Sequence, residues 1–148
     1  MKKQLYSSLV VSVFLFTTAS KALAADKYLG EFCWQVFNSA GQPYWIYKFG
    51  VYEKEGGHLA LFGTISYGAN GPSASHGNAI VIGNNIKMTI VSSDYEEAEG
   101  EVWSETFTAI LSASTLSGEW NALSLESDDG INVRTRFQMG SMSPIACN

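Results

Sequence analysis

The sequence predicts an all-β fold, a single up-and-down antiparallel β-barrel of about eight strands. Apolar and polar residues alternate with a period of two along most of the chain after residue 25. Turn-forming residues interrupt this alternation at short intervals, and connections that short join antiparallel neighbours rather than parallel strands. No convincing helical apolar stripe follows residue 25. Because a meander protects its edge strands best by closing on itself, a barrel is favoured over the alternative of a two-sheet sandwich.

The first 24 residues predict a secretory signal peptide that is absent from the mature domain 25–148. Lys2 and Lys3 precede an apolar run at 9–16, and Ala22-Leu23-Ala24 supplies small residues for cleavage. The run is shorter than the roughly 20 residues that a membrane-spanning helix needs, so an uncleaved anchor is the less favoured alternative. Paired lysines and the short length are typical of bacterial export. We therefore expect a periplasmic or secreted protein with no membrane span in its mature part.

Each strand is predicted from an apolar run bounded by turn residues. The predicted strands are Leu29–Phe37, Tyr44–Glu53, His58–Tyr67, Asn78–Ile82, Asn85–Ser92, Val102–Ala113, Thr115–Glu126 and Ile131–Gly140. The segments Gly68–Gly77 and Asp94–Glu101 are predicted to be a polar loop and an acidic connection, and Gly83-Asn84 a two-residue hairpin turn. A transmembrane barrel is disfavoured, because its outside would need an uninterrupted apolar band.

Charge restricts the classes of partner. The signal peptide holds three lysines and no acid, so the mature chain has six basic and 14 acidic residues and a formal net charge of −8. Nucleic acids and anionic membranes reward basic residues, and the sequence therefore argues against both. A basic protein partner is electrostatically compatible with this charge.

The two cysteines predict a disulfide. Cys33 lies in the first strand and Cys147 beside the C-terminus, and an even pair in an exported protein is typical of a disulfide bond. Two free thiols are the alternative. The sequence shows no H-E-x-x-H, C-x-x-C or Gly-rich phosphate loop, so no metal and no cofactor is expected. An acidic segment is interpreted as a solubilising connection rather than a calcium site, because it lacks the order of an EF-hand loop. Its residues are Asp94, Glu96, Glu97, Glu99, Glu101 and Glu105.

Large aromatic residues are the candidate ligand contacts. Their strands would direct the rings into one barrel interior, and ligand pockets are mostly apolar and aromatic. The candidate cavity residues are Trp34, Trp45, Tyr47, Phe49, Trp103, Phe107 and Trp120. Plain core packing is the alternative for each of them.

The chain resembles a small calycin, the barrel group that contains the lipocalins and avidins. The resemblance lies in the signal peptide, the single meander, the cysteine pair and Gly30-Glu31-Phe32-Cys33-Trp34, which is similar to the first-strand Gly-x-Trp element of lipocalins. Phe stands at the lipocalin Trp position, with Trp two places later. The last-strand Arg that packs on that Trp in lipocalins would be Arg134 or Arg136. The Gly-x-Trp-x-Asn of avidins has no counterpart in the first strand. The resemblance implies a closed barrel and no particular ligand.

Three functions remain open at this stage. The favoured one is an exported binding protein that holds a lipophilic or aromatic small molecule in the barrel. The second is a periplasmic inhibitor or partner of a lysozyme or protease, acting through Gly68–Gly77 or Ala25–Leu29. The third is an enzyme at the barrel mouth with His76 as the base, although no nucleophile motif accompanies it and we expect no enzyme.

Overall fold

The computed structural model describes residues 26–67, 71–96, 101–127 and 131–147. Eight antiparallel strands follow one another in chain order and form a closed barrel, which confirms the predicted architecture. The strands are β1 (Lys27–Asn38), β2 (Pro43–Glu53), β3 (His58–Ser66), β4 (Ser73–Ile82), β5 (Asn85–Glu96), β6 (Glu101–Ser112), β7 (Gly118–Ser127) and β8 (Val133–Ile145). The predicted signal peptide and Ala25 lie outside the described residues. Within those residues, no helix has the length and apolar character needed to cross a membrane.

The barrel closes where β1 pairs with β8. This pairing runs from Cys33 opposite Ile145 to Asn38 opposite Gly140. The disulfide between Cys33 and Cys147 is formed beside this seam, with Cα atoms 5.3 Å apart. A path that follows the paired residues once round the barrel returns to β1 about ten residues away from its starting residue. A stagger of this kind requires the strands to tilt against the barrel axis. The first strand and the end of the chain are therefore held together by main-chain pairing as well as by a covalent bond.

Alternation along the strands decides which residues enter the interior. Trp34 and Val36 of β1 and the odd-numbered residues 45–51 of β2 are buried, as are the large residues that face them from β5 to β7. Strand curvature needs glycine at a few inward positions. A Cβ atom on Gly63 would lie 1.8 Å from the carbonyl oxygen of Lys48, so no larger residue fits between β3 and β2 there.

Three predicted strand boundaries differ from the observed ones by four residues or more. β4 begins at Ser73 rather than Asn78, β5 continues to Glu96, and β8 continues to Ile145 rather than ending at Gly140. Ser73 and Ser75 are buried inside the barrel, and small polar residues on the inward face hid the alternation of β4. The C-terminal residues of β8 are ordered as a strand because they pair with β1.

Candidate functional site

An apolar cavity of about 410 Å³ opens at the end of the barrel where β1, β3, β5 and β7 begin. Its wall is formed by side chains from six strands and by the turn that joins β6 to β7. Six of the apolar lining residues are Phe32, Trp34, Leu59, Leu61, Met88 and Leu116. Glu53 is the one charged residue among the described lining residues, and its carboxylate lies 3.5 Å from the ammonium group of Lys27. The cavity can therefore shelter an apolar group, with charge available beside its opening.

Trp34 ties the cavity wall to the rim. Its indole N–H donates a hydrogen bond of 2.9 Å to the carbonyl oxygen of Leu116, in the turn between β6 and β7. Leu116 has a φ of 56°, a left-handed conformation that non-glycine residues adopt infrequently. The ring of Phe32 stacks beside Trp34 with centroids 6.0 Å apart. The polar atom of Trp34 is thus satisfied by the main chain, which leaves its apolar surface to the cavity.

The barrel is filled beneath this cavity. Phe49 and Ile90 take the next inward positions below the lining residues Val51 and Met88, one step deeper in the barrel. Both are fully buried. Phe107 and Trp120 stack in the same layer with centroids 5.2 Å apart. The cavity is consequently a pocket at one end of the barrel and does not extend through it.

The seven predicted aromatic residues divide between these regions. Trp34 lines the cavity. The rings of Trp45, Tyr47, Phe49, Phe107 and Trp120 are buried and contact one another in the packed centre of the barrel. Trp103 lies at the opposite end, half-buried, with its ring at right angles to that of Tyr67. Sequence reasoning therefore placed these rings near the barrel interior but left open which of them border a cavity.

A buried polar cluster occupies the part of the interior away from the cavity. The Tyr47 hydroxyl donates a hydrogen bond of 3.1 Å to the Glu105 carboxylate, and the hydroxyls of Ser75 and Ser92 are 2.7 Å apart. Burial raises the pKa of Glu105 from 4.5 to about 7; the hydrogen bond from Tyr47 opposes this rise, and the negative charge of Glu126 adds to it. Burial also raises the pKa of Tyr47 well above 10, and the charge of Glu105 adds to that effect.

The interpretation of Glu105 as part of a solubilising acidic segment is wrong. Glu105 is only 3% exposed and points into the barrel between Trp103 and Phe107. The alternation of β6 already indicates that Glu105 faces inward, because Trp103, Glu105 and Phe107 occupy alternate positions and therefore the same face of the strand. The neighbouring acidic residues of the chain hid this indication.

His76, the candidate base of the enzyme hypothesis, does not lie in a loop at the barrel mouth. It belongs to β4 and is exposed on the outside of the barrel, paired with Phe62 of β3 and Val91 of β5. The expected packing of a last-strand Arg on Trp34 is also not formed by Arg136. Trp34 pairs with Pro144, whereas Arg136 contacts Glu126 at 3.1 Å. Within the described residues, no three His, Cys, Asp or Glu side chains are grouped to hold a metal ion.

Comparison of the chain with known protein families, curated proteins and solved structures finds no match. The class of protein is thus defined by its own structure. It is a closed eight-stranded antiparallel barrel, fixed by one disulfide, with an apolar cavity at one end and a packed aromatic centre.

Proposed function

We propose that this protein is an exported binding protein that holds a small lipophilic or aromatic molecule in the cavity at the end of its barrel. The observation that supports the proposal is the cavity itself, with its volume of about 410 Å³ and its apolar wall. Small-molecule sites usually span about 300–1,000 Å³ and combine apolar lining with a few polar groups. Lys27 and Glu53 beside the opening supply such groups.

The packed barrel centre limits the ligand to a compact apolar group. Phe49 and Ile90 close the floor, so a long chain threaded through the barrel is disfavoured. Contact with Phe32 and Trp34 would remove ligand and wall surface from water at roughly 25 cal/mol for each Å² of apolar area. The ligand would enter with its apolar end first and leave any polar end beside the salt bridge at the opening.

The compartment fits this activity. An apolar molecule needs a carrier in an aqueous space, and the disulfide is compatible with an oxidising compartment such as the periplasm or the outside of the cell. The export signal in residues 1–24 remains part of the proposal.

The two alternative functions have less support. Half of the loop assigned to the inhibitor hypothesis belongs to β4, since Ser73–Gly77 pair with β3. The other segment assigned to it is already in β1 from Lys27 onward. The enzyme hypothesis depended on His76, which lies outside the barrel wall and away from the cavity.

A fluorescent probe that brightens in apolar surroundings tests the proposal. N-phenyl-1-naphthylamine should bind the oxidised mature protein with one saturable site. Leu59→Trp places a large ring in the cavity, because Leu59 is a lining residue, and should abolish that binding. Ile110→Trp adds the same ring on the outside of β6, where Ile110 is 55% exposed, and should leave the affinity unchanged.

Two results would contradict the proposal. The first is an absence of saturable probe binding to the folded wild-type protein. The second is equal affinity in Leu59→Trp and wild type, with both proteins unfolding cooperatively, because the probe would then occupy another surface.

A further inference from the structure

A row of polar residues crosses the inner wall of the barrel, on the far side of the packed centre from the apolar cavity. The strand register of β4 to β8 places these residues side by side: Ser75, Ser92, Glu105, Ser124 and Arg136. The first four of them are at most 4% exposed. We define the inner polar cluster by these four residues and Tyr47, whose hydroxyl reaches Glu105. Buried polar side chains are infrequent in protein interiors, so a cluster of five calls for an explanation.

Hydrogen bonds within the inner polar cluster leave its carboxylate able to accept more. The Tyr47 hydroxyl donates a hydrogen bond of 3.1 Å to one oxygen of Glu105. The hydroxyls of Ser75 and Ser92 are 2.7 Å apart and bond to each other. An ionised carboxylate accepts several hydrogen bonds through its two oxygens, so Glu105 can accept another beside the one from Tyr47. The cluster therefore offers a strong acceptor inside the barrel.

The indole N–H of Trp45 is an unpaired donor beside this cluster. Trp45 is 2% exposed, and its N–H has no hydrogen-bond partner among the residues that the structure describes. Burial raises the pKa of Tyr47, and the polar groups of Ser92 and Trp45, which lie beside its hydroxyl, oppose that rise. A buried donor without an acceptor is costly to the folded state. The Trp45 N–H thus lies next to the hydrogen bond between Tyr47 and Glu105 and can donate to an acceptor there.

We infer that the inner polar cluster and Trp45 bind a small hydroxylated molecule, of the size of a single sugar ring, in a second site at the end of the barrel opposite the apolar cavity. A hydroxyl group can accept a hydrogen bond from an indole N–H and donate one to a carboxylate at the same time. An ammonium group only donates, and a carboxylate group only accepts. The unpaired N–H of Trp45 and the carboxylate of Glu105 together therefore favour a hydroxyl over either charged group.

Aromatic rings and an ion pair surround the cluster at this end of the barrel. The rings of Tyr67 and Trp103 lie at right angles with centroids 5.4 Å apart, and both residues are half-buried. The ligand enters past these two rings, whose apolar faces can pack against the C–H groups of a sugar. Arg136 is paired with Glu126 at 3.1 Å, so these two opposite charges compensate one another. A compensated pair attracts a free ion weakly, which favours a neutral ligand.

Nitrogen–proton correlation NMR of the indole N–H groups tests this inference in the oxidised mature protein. The probes are D-glucose, D-galactose and N-acetyl-D-glucosamine. At least one of them should shift the Trp45 signal saturably, because a sugar hydroxyl would accept a hydrogen bond from its N–H. The signals of Trp34 and Trp120 should move less, because both indole groups already donate to main-chain carbonyl oxygens.

Variants place the bound sugar at the inner polar cluster, with dissociation constants measured by calorimetry. Glu105→Gln removes the charged acceptor and should raise the dissociation constant at least about tenfold, because hydrogen bonds to charged groups are the stronger ones. Glu119→Gln is the matched control: it removes an exposed carboxylate from the outside of β7 and should leave the constant unchanged. Trp45→Phe keeps an aromatic ring but removes the donor, and it replaces Glu105→Gln if that variant loses cooperative unfolding.

Two results would overturn the inference. The first is the absence of a saturable shift of the Trp45 signal with all three sugars; a shift caused by benzylamine instead would assign a cationic ligand to the cluster. The second is an unchanged dissociation constant in a folded Glu105→Gln or Trp45→Phe, because the sugar would then bind elsewhere. Phe49 and Ile90 separate this site from the apolar cavity, so binding of N-phenyl-1-naphthylamine is an independent measurement and either proposal can fail alone.

Discussion

Replacement of the buried carboxyl, Glu105→Gln, is expected to change how stability depends on pH. Burial raises the pKa of Glu105 from 4.5 to about 7 in the folded protein, whereas the unfolded chain has the ordinary value. The folded state therefore keeps a proton that the unfolded state has already released between these two values. The proton that Glu105 retains therefore stabilises the folded protein fully below pH 4.5, and this stabilisation is lost as the pH rises through about 7.

The magnitude follows from the two pKa values. At about 1.4 kcal/mol for each pH unit of separation, the change from 4.5 to about 7 corresponds to about 3 kcal/mol of unfolding free energy. The Gln side chain is neutral at every pH and its carbonyl oxygen can still accept the hydrogen bond from Tyr47. We expect wild type and variant to be equally stable near pH 4.5, and the variant to be more stable by about 2–3 kcal/mol at pH 8.

Urea unfolding at intervals between pH 4.5 and 8 measures this difference. Tyr47→Phe is the second variant, because it removes the hydrogen bond that holds the pKa of Glu105 down and should move the loss of stability to higher pH. Parallel stability curves for wild type and Glu105→Gln over the whole interval would refute the reasoning, since Glu105 would then ionise alike in the folded and unfolded chains.

Three further predictions concern packing and closure. Reduction of the disulfide between Cys33 and Cys147, which spans 114 residues, should lower the unfolding free energy by up to about 4–5 kcal/mol, and equal urea midpoints with and without reductant would contradict this. Trp34→Ala should weaken probe binding by more than its loss of stability explains, because Trp34 lines the cavity. Trp45→Ala should lower the unfolding free energy by about 3–5 kcal/mol, and that loss should account for any weaker binding. Equal losses of affinity in the two variants, compared at the same folded fraction, would contradict this distinction. Gly63→Ala should cost more than about 2 kcal/mol by thermal unfolding, because its Cβ atom would meet the main chain of β2; an unchanged melting temperature would show that the strands can separate there.

The barrel could be predicted because its interior is mostly apolar. Where large apolar residues alternate, as in Trp45, Tyr47, Phe49 and Val51 of β2, the sequence pattern and the observed burial agree. The start of β4 was missed where Ser73 and Ser75 replace apolar residues on the inward face. A period-two pattern needs contrast between the two faces, and neither face of this segment, Ser73–Gly77, carries a large apolar residue.

The cavity could not be predicted, because its shape depends on how side chains from different strands fill one layer. Phe32 and Trp34 share a parity with Val36, yet the first two border the cavity while Val36 lies in the packed centre. That difference is decided by strand register and by the residues opposite, which sequence specifies only loosely. The sequence pattern of β8 likewise does not reveal which of its two faces points into the barrel. Val133, Phe137 and Met139 share one parity of an alternating strand, but their side chains are exposed on the outside of the barrel.

Native mass spectrometry of the mature protein, purified gently from its own exported compartment, tests the proposed function most directly. The wild type should carry a reproducible excess mass that disappears on denaturation, and Leu59→Trp, whose added ring occupies the cavity, should carry none. A wild-type protein with the bare polypeptide mass would contradict tight binding of an endogenous ligand. An excess mass that Leu59→Trp retains would place the bound molecule outside the cavity.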